Sequence, residues 1–480
     1  MHLEPDTCYR ALRARDARFD GRFFVAVSST RIYCRPVCTV KPPRRENCRF
    51  YPSPAAAEAA GYRPCLRCRP ELAPGNASVD ATSRLAKAAA GLLEDRAVDE
   101  EGLEAIAARL GVTDRHLRRA FGAEFGVSPV QFAQTQRLLL AKRLLTDTAL
   151  PVTEVAFASG FGSLRRFNAL FKERYRLQPG ALRRRALAEG GAAQDILRFE
   201  LAYRPPYDWP AVSAFLGARA IAGVEAVEGG VYRRTARLLV DGTPAAGWIE
   251  VAPAPRKTAL RVHVSASLAK ALPAVLARVK ALFDLACNPV EVAQALGGLA
   301  GAHAGLRVPG AFDGFEVAVR AIVGQQVSVA AARTICGRIA EAFGDPVETP
   351  FALGRTFPDA SRVAAVPHGR IASLGMPGAR ARTIVGVARA IAGGELDLSP
   401  NADLDETLAK LRALPGVGEW TAQYLAMRAL AWPDAFPHTD LGVLRALGEK
   451  DPRRVLQRAE AWRPWRAYAV MHLWQSHAKG

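Results

Sequence analysis

Eight cysteines occur in the 480-residue chain, and four stand in two close pairs: Cys34-x3-Cys38 and, after 26 residues, Cys65-x2-Cys68. Two short-spaced pairs at this separation match a tetrahedral four-thiolate site for one Zn²⁺. Such a site carries a net charge of about −2, and a sulfur kept deprotonated by the metal is nucleophilic at neutral pH without an adjacent base. The spacing alone leaves two roles open, an inert structural knuckle and a reactive centre. Far downstream, "LPGVG" (414–418) offers a second kind of chemistry. Gly416 and Gly418 permit a tight turn that brings backbone N–H groups at a helix N-terminus against a phosphate, the signature of a helix-hairpin-helix. Asp440 follows 22 residues after Gly418 in "FPHTDLG", either as a helix cap or as the carboxylate of a catalytic site.

Positioning such groups requires folded domains, and a chain of this length calls for three or four of them. Half of its residues are apolar. No hydrophobic run approaches the ~18 residues of a membrane span, and the charged start "MHLEPDTCYRALRARD" is unlike a signal peptide. A cytoplasmic protein with no membrane partner is expected, and in a reducing compartment clustered cysteines point to metal or chemistry rather than disulfides. Lys and Arg outnumber Asp and Glu by 65 to 46. The excess is shared, 14 to 7 over residues 1–75, 18 to 13 over 76–190 and 33 to 26 over 191–480, so no basic tail carries it. Such a spread suits repeated contact with a polyanion, above all nucleic acid.

Turn-rich "ELAPGNASVDATS" (71–83) reads as a linker, and after "LRRRALAEGGAAQD" (182–195) amphipathic periodicity gives way to alternation, as in "ALRVHV" (259–264), with a turn signal at Asp241-Gly242. Helical periodicity returns from about residue 270 to the end. Between the linkers one unit occurs twice. Ala107 and Gly111 recur as Ala156 and Gly160, and Phe121-x3-Phe125-x3-Pro129 recurs as Phe171-x3-Tyr175-x3-Pro179. A small residue with a glycine four positions later suits the tight turn of a helix-turn-helix. Arg115, His116, Arg118 and Arg119 then fall on the first candidate recognition helix, and Ser163, Arg165, Arg166 and Asn168 on the second.

"GRFFVAVSSTRIYCRPVC", "RRENCRFYPSPAAAEAAGYRPCLRCRPE" and the helical region after them resemble the N-terminal half of the Ada adaptive-response regulators over about 180 residues, the helical part being of AraC type. The resemblance implies that Cys34 is both zinc ligand and irreversible acceptor of a methyl group from DNA methylphosphotriesters, with Cys38, Cys65 and Cys68 as the other ligands. It places Thr30 and Lys41 near DNA, Lys41 standing where the family has arginine. It also implies a promoter, transcriptional activation through RNA polymerase, and a nucleoid-associated protein. Methylation turns a thiolate into a thioether and removes one negative charge facing the phosphates, so DNA affinity should rise. Cys8 and Cys48 fall outside the quartet and are expected to pack. The Pro-Cys-His-Arg motif of a second Ada methyltransferase domain is absent, so repair of O6-methylguanine is not expected.

Residues 196–480 resemble the AlkA-type DNA-3-methyladenine glycosylases through "YRPPYDWPAVSAFLGARAIAGVE", "FEVAVRAIVGQQVSVAAA", "LPGVGEWTAQYLAMRAL" and "RPWRAYAVMHLW". Asp440 takes the place of the catalytic aspartate, and Phe215, Trp420, Tyr424 and Trp474 those of the aromatic cleft. An alkylated purine is electron-poor and stacks well on such walls. Related lyases carry a lysine where Trp420 stands, so base release without strand cleavage is implied. No cysteine follows Cys336, so the iron-sulfur cluster of some relatives is not expected. Two departures stand out: Gln326 occupies the position of the apolar wedge that fills the space of a flipped base, and Leu441 replaces an aromatic beside Asp440.

The expected fold is multidomain α+β: a small zinc domain (1–75), an all-α double helix-turn-helix domain (84–186), a glycosylase sheet domain (196–270, antiparallel) and a helix-hairpin-helix body (271–480). The expected function is a fused sensor of DNA alkylation, transcriptional regulator and monofunctional glycosylase acting on double-stranded DNA. The alternative is a regulator whose glycosylase-like part only binds DNA.

Overall fold

The structure is a computed structural model that describes residues 4–74, 81–95, 100–148, 150–188, 196–240 and 242–477. Parts of both expected linkers, and Asp241 of the expected turn, lie outside the described residues. The chain forms two compact units, the first built mainly from residues 1–205 and the second mainly from residues 206–252 and 288–480.

The first unit opens with a four-stranded sheet of β1 (Phe24–Val27), β2 (Ile32–Cys34), β3 (Cys48–Tyr51) and β4 (Arg63–Pro64). β1 pairs antiparallel with β2 and β3, and β2 pairs parallel with β4. Alternate side chains leave opposite faces of a strand. Phe24 and Ala26 accordingly pack with Tyr33, Ala57 and Tyr62, while Val25 joins Cys8, Leu12, Phe23 and Cys48. Cys8 and Cys48 are packing residues, as expected; burial pushes the Cys8 thiol up to about 11, leaving it protonated and unreactive.

The repeated unit appears as two helix pairs. In the first, Glu100–Arg109 is followed by Asp114–Phe125; in the second, Val152–Ala158 is followed by Leu164–Tyr175. Gly111 (φ 66°) and Gly160 (φ 82°) take the left-handed turn conformation that favours glycine. Thr113 and Ser163 then cap the second helix of each pair. The aromatic spacing becomes packing: Phe121 lies against Phe125 and Phe132, and Phe171 against Phe167 and Tyr175. The helix Pro129–Asp147, opened by a Ser128–Gln131 capping box, joins the two pairs. Ala55 and Ala56, from the cysteine-bearing segment, are buried in the same core as Leu117, Phe121 and Phe132.

β5 (Ile196–Ala202) pairs antiparallel with β9 (Ala259–Ser265) in the first unit. In the second unit β7 (Val231–Val240) pairs antiparallel with both β6 (Glu225–Glu228) and β8 (Thr243–Pro253). Val240 pairs with Thr243, and Gly242 before Thr243 takes φ 76°, the left-handed conformation that favours glycine. The rest of the second unit is helical, and among its described residues buried apolar side chains line Gly314–Val323, Gly378–Ala392 and Glu419–Arg428. Among the described residues no helix is long and apolar enough to cross a membrane.

Candidate active site and metal centre

The strand ladder brings the two cysteine pairs together. Cys34 ends β2, and the backbone N–H of Cys65 donates to Tyr33 O at 3.0 Å where β4 runs beside it. The four sulfurs of Cys34, Cys38, Cys65 and Cys68 lie within 4.8 Å of one another. Tetrahedral thiolates about 2.3 Å from a zinc ion stand about 3.8 Å apart, so the set fits that metal. The Arg35 N–H donates to Cys68 Sγ at 3.3 Å, and its guanidinium is buried in a double ion-pair contact with Asp20 and donates to Cys68 O at 3.3 Å. The Arg-Pro step thus clamps the second pair against the first. Thr30 and Lys41 are both exposed, Thr30 in the turn between β1 and β2.

Arg115, Arg118 and Arg119 are exposed on Asp114–Phe125, and Arg165 and Arg166 on Leu164–Tyr175. Arg118 donates to Asp114 at 2.7 Å, and Arg119 contacts His116 Nδ1 at 3.2 Å. Ser163 is committed to capping.

In the second unit the helices Leu404–Ala413 and Glu419–Arg428 enclose the expected hairpin. Its two glycines meet different needs. Gly416 sits at φ 87°, and a Cβ there would lie 2.1 Å from Thr383 Oγ1. Gly418 has ordinary extended backbone with open space around its Cβ position, so only the space above the helix N-terminus distinguishes it. Gln325 holds the neighbouring turn to the hairpin, donating to Gly416 O at 3.1 Å and Thr421 Oγ1 at 3.0 Å. Gln326, next to it, is exposed at φ 56°.

Asp440 caps the helix Leu441–Ala446, its Oδ1 accepting from Val443 N at 3.0 Å. The same carboxylate accepts from Trp474 Nε1 at 2.9 Å on Oδ1 and from Trp420 Nε1 at 2.8 Å on Oδ2. The capping carboxylate is thus the same one that both indoles hold. Trp420 stacks on Tyr424 at 5.1 Å, and Phe215 lies nearly parallel to Trp474 at 6.2 Å. Trp420 and Trp474 hold Asp440 directly, and Tyr424 and Phe215 stack behind them. Leu441 is 65 % exposed beside it.

Two arginines that sequence reasoning missed complete the cleft. The Arg219 guanidinium lies 3.8 Å over the Phe215 ring and that of Arg428 4.8 Å from it. Arg428 donates to Tyr424 Oη at 2.8 Å and, buried, also to the carbonyls of Pro309 and Gly310. Burial alone would push the Tyr424 phenol up, but Arg428, Arg219 and Arg320 together bring it below its ordinary range. Both arginines lie inside the quoted segments "FLGARA" and "YLAMRAL", where nothing local separates them from solvated charges.

Known families match every part of this layout: "Metal binding domain of Ada" over residues 7–71, "Helix-turn-helix domain" over 106–185, "AlkA N-terminal domain" over 198–313 and "HhH-GPD superfamily base excision DNA repair protein" over 319–463. The "Probable bifunctional transcriptional activator/DNA repair enzyme AlkA" of Mycobacterium tuberculosis is 40% identical, across 99% of this chain and 97% of that protein. The chain belongs to that family of bifunctional AlkA proteins. The "DNA-3-methyladenine glycosylase 2" of Escherichia coli is 37% identical over 58% of this chain and 96% of its own length. A 3-methyladenine DNA-glycosylase from Archaeoglobus fulgidus shares the fold of 58% of the chain and 98% of itself, with TM-score 0.51 and 22% identity. The AlkA family's Ada-type metal domain makes the four-cysteine cluster a zinc site, and its helix-turn-helix and helix-hairpin-helix parts are those of a DNA-binding protein.

Proposed function

We propose that this protein senses and repairs DNA alkylation with two chemistries: hydrolysis of the N-glycosidic bond of alkylated bases such as 3-methyladenine, and irreversible methyl transfer from phosphotriesters to Cys34. The observation that carries the first is the Asp440 carboxylate held between two indole N–H groups at the head of an aromatic cleft, beside a hairpin with an open helix N-terminus. A carboxylate has about four lone-pair directions. Trp474 and Val443 fill those of Oδ1 and Trp420 one of Oδ2, which leaves Oδ2 one direction for water or sugar. A flipped 3-methyladenine, already cationic, leaves with the electron pair of the C1′–N bond and needs no acid. Positive charge then grows on the deoxyribose, where Asp440 opposes it and takes a proton from the water that adds to C1′. Trp420 offers no amine for a Schiff base, so the strand stays intact.

Asp440→Asn keeps shape and removes charge. Single-turnover release of 3-methyladenine should fall by about 10² to 10³, while equilibrium binding to an uncleavable abasic duplex changes little. Near-wild-type release would move catalysis elsewhere and favour a DNA-binding module.

For the second chemistry, Cys34 Sγ forms a bond to the methyl carbon as the methyl–oxygen bond breaks, and the phosphate oxygen leaves with the electron pair. Zinc at the site keeps the thiolates deprotonated at neutral pH. The thioether product carries one negative charge fewer, so promoter binding tightens and RNA polymerase is recruited at the nucleoid. Peptide mass spectrometry after exposure to methylphosphotriester DNA should find one methyl, on Cys34. The affinity gain should shrink as salt rises; methyl on Cys38, or equal affinities at low salt, would refute the scheme.

A further inference from the structure

Gly442 occupies the second position of the helix Leu441–Ala446, where its backbone needs no positive φ. Glycine is disfavoured in helices relative to alanine. The space around it supplies a reason: a Cβ on Gly442 would stand 3.0 Å from Trp474 Cδ1, 3.3 Å from Trp474 Nε1 and 3.0 Å from Asp440 Oδ1. Ordinary carbon contacts begin near 3.5 Å. The edge of the Trp474 indole therefore lies in the volume a side chain would fill.

We infer that Gly442 is a positioning residue of the glycosylase site: its missing side chain lets the Trp474 indole lie against the first turn of this helix and donate to Asp440. The inference rests on the reading of Asp440 as the catalytic carboxylate. With a methyl at 442 the indole must retreat by a few tenths of an ångström. Its 2.9 Å bond to Oδ1 then stretches to the long end of good geometry and tilts. Trp420 still holds Oδ2 and the Val443 N–H still holds Oδ1, so the carboxylate loses one of its three anchors and can shift relative to the sugar. Trp474 also lies parallel to Phe215, so the same displacement reaches the wall on which the base stacks.

Gly442→Ala should slow single-turnover release of 3-methyladenine by about tenfold or more, since small misplacements of a reacting group are costly. Affinity for the abasic duplex should stay within about twofold. Trp474→Phe, which keeps a ring but removes the N–H, should show a comparable loss, and Gly442→Ala should add nothing to it in the double variant. Wild-type release by Gly442→Ala, or losses that multiply in the double variant, would overturn the inference. Should Gly442→Ala fail to fold, the smaller ring in the double variant should restore folding; failure of both would count against it as well. Asp440→Asn, measured alongside, separates the two levels: if it releases base normally, the catalytic reading falls first.

Discussion

Glu58 lies wholly enclosed in the first unit, and its two oxygens accept from hydroxyls rather than cations: Tyr33 Oη at 3.0 Å and Thr135 Oγ1 at 3.0 Å. Burial dominates its ionisation and pushes the carboxyl up to about 7, despite Tyr33, Thr135, Arg174 and Lys142 favouring the anion. A carboxyl whose folded pKa exceeds its unfolded one stabilises the fold fully below the unfolded value, near 4.5, and that contribution is lost as pH rises through 7. Glu58→Gln should therefore gain on the wild type between pH 6 and 9, by on the order of 1 kcal/mol. Urea unfolding of the zinc-loaded proteins at three pH values checks this; a constant difference across the range would show that Glu58 does not titrate there. Nothing in "PSPAAAEAAGY" marks this glutamate, because the partner that encloses it, Thr135, is 77 residues away.

At the scale of elements, the hairpin shows why some of the site was legible and some was not. The turn could be read because glycine spacing is a local pattern, whereas Asp440 read locally as a helix cap and became a catalytic candidate only through the family resemblance. The division of labour between Gly416 and Gly418 could not be read, since it depends on Thr383 from another helix. Gly416→Ala should lower the stability of the second unit by roughly 1 to 3 kcal/mol, through its left-handed backbone and the contact with Thr383. Gly418→Ala should leave the melting temperature nearly unchanged and weaken binding to undamaged duplex DNA, because its methyl stands over the helix N-terminus. Thermal melts and low-salt binding of the two variants test the contrast; equal melting temperatures would refute it. The sheets were equally legible where the signal was local, as where Val240 pairs with Thr243. The four thiols were too, since metal ligands in short pairs leave their spacing in the chain. The indole bonds to Asp440 and the pinning by Gln325 leave no periodic trace, and Gln326 alone drew attention on the turn they share.

On the scale of the whole molecule, the net charge of +19 favours DNA everywhere, while the contacts inside the first unit decide which parts fold together. Arg69, next to Cys68, pairs with Asp147 at 2.6 Å and with Glu71 at 3.1 Å. Lys142, nearly inaccessible, donates to both oxygens of Glu71 at 2.7 and 2.8 Å. Burial works against the Glu71 anion, yet Lys142 and Arg69 hold its carboxyl below the usual range. These pairs, with Glu58–Thr135 and the shared core of Ala55 and Ala56, tie the cysteine-bearing segment to the helix Pro129–Asp147. Anything that binds only the folded form adds its free energy to every element that folds with it. A chelator should thus lower the melting temperature of the arginine-bearing helices along with that of the small sheet, and abolish promoter binding by protein that has never met a methyl group. Circular dichroism melts with and without chelator, beside a promoter-binding assay, give the answer; helical melting indifferent to the metal would dissolve the link. On the reading proposed above, the regulator answers to two supplies at once, and a cell starved of zinc loses its alarm for alkylation even while the glycosylase goes on excising bases.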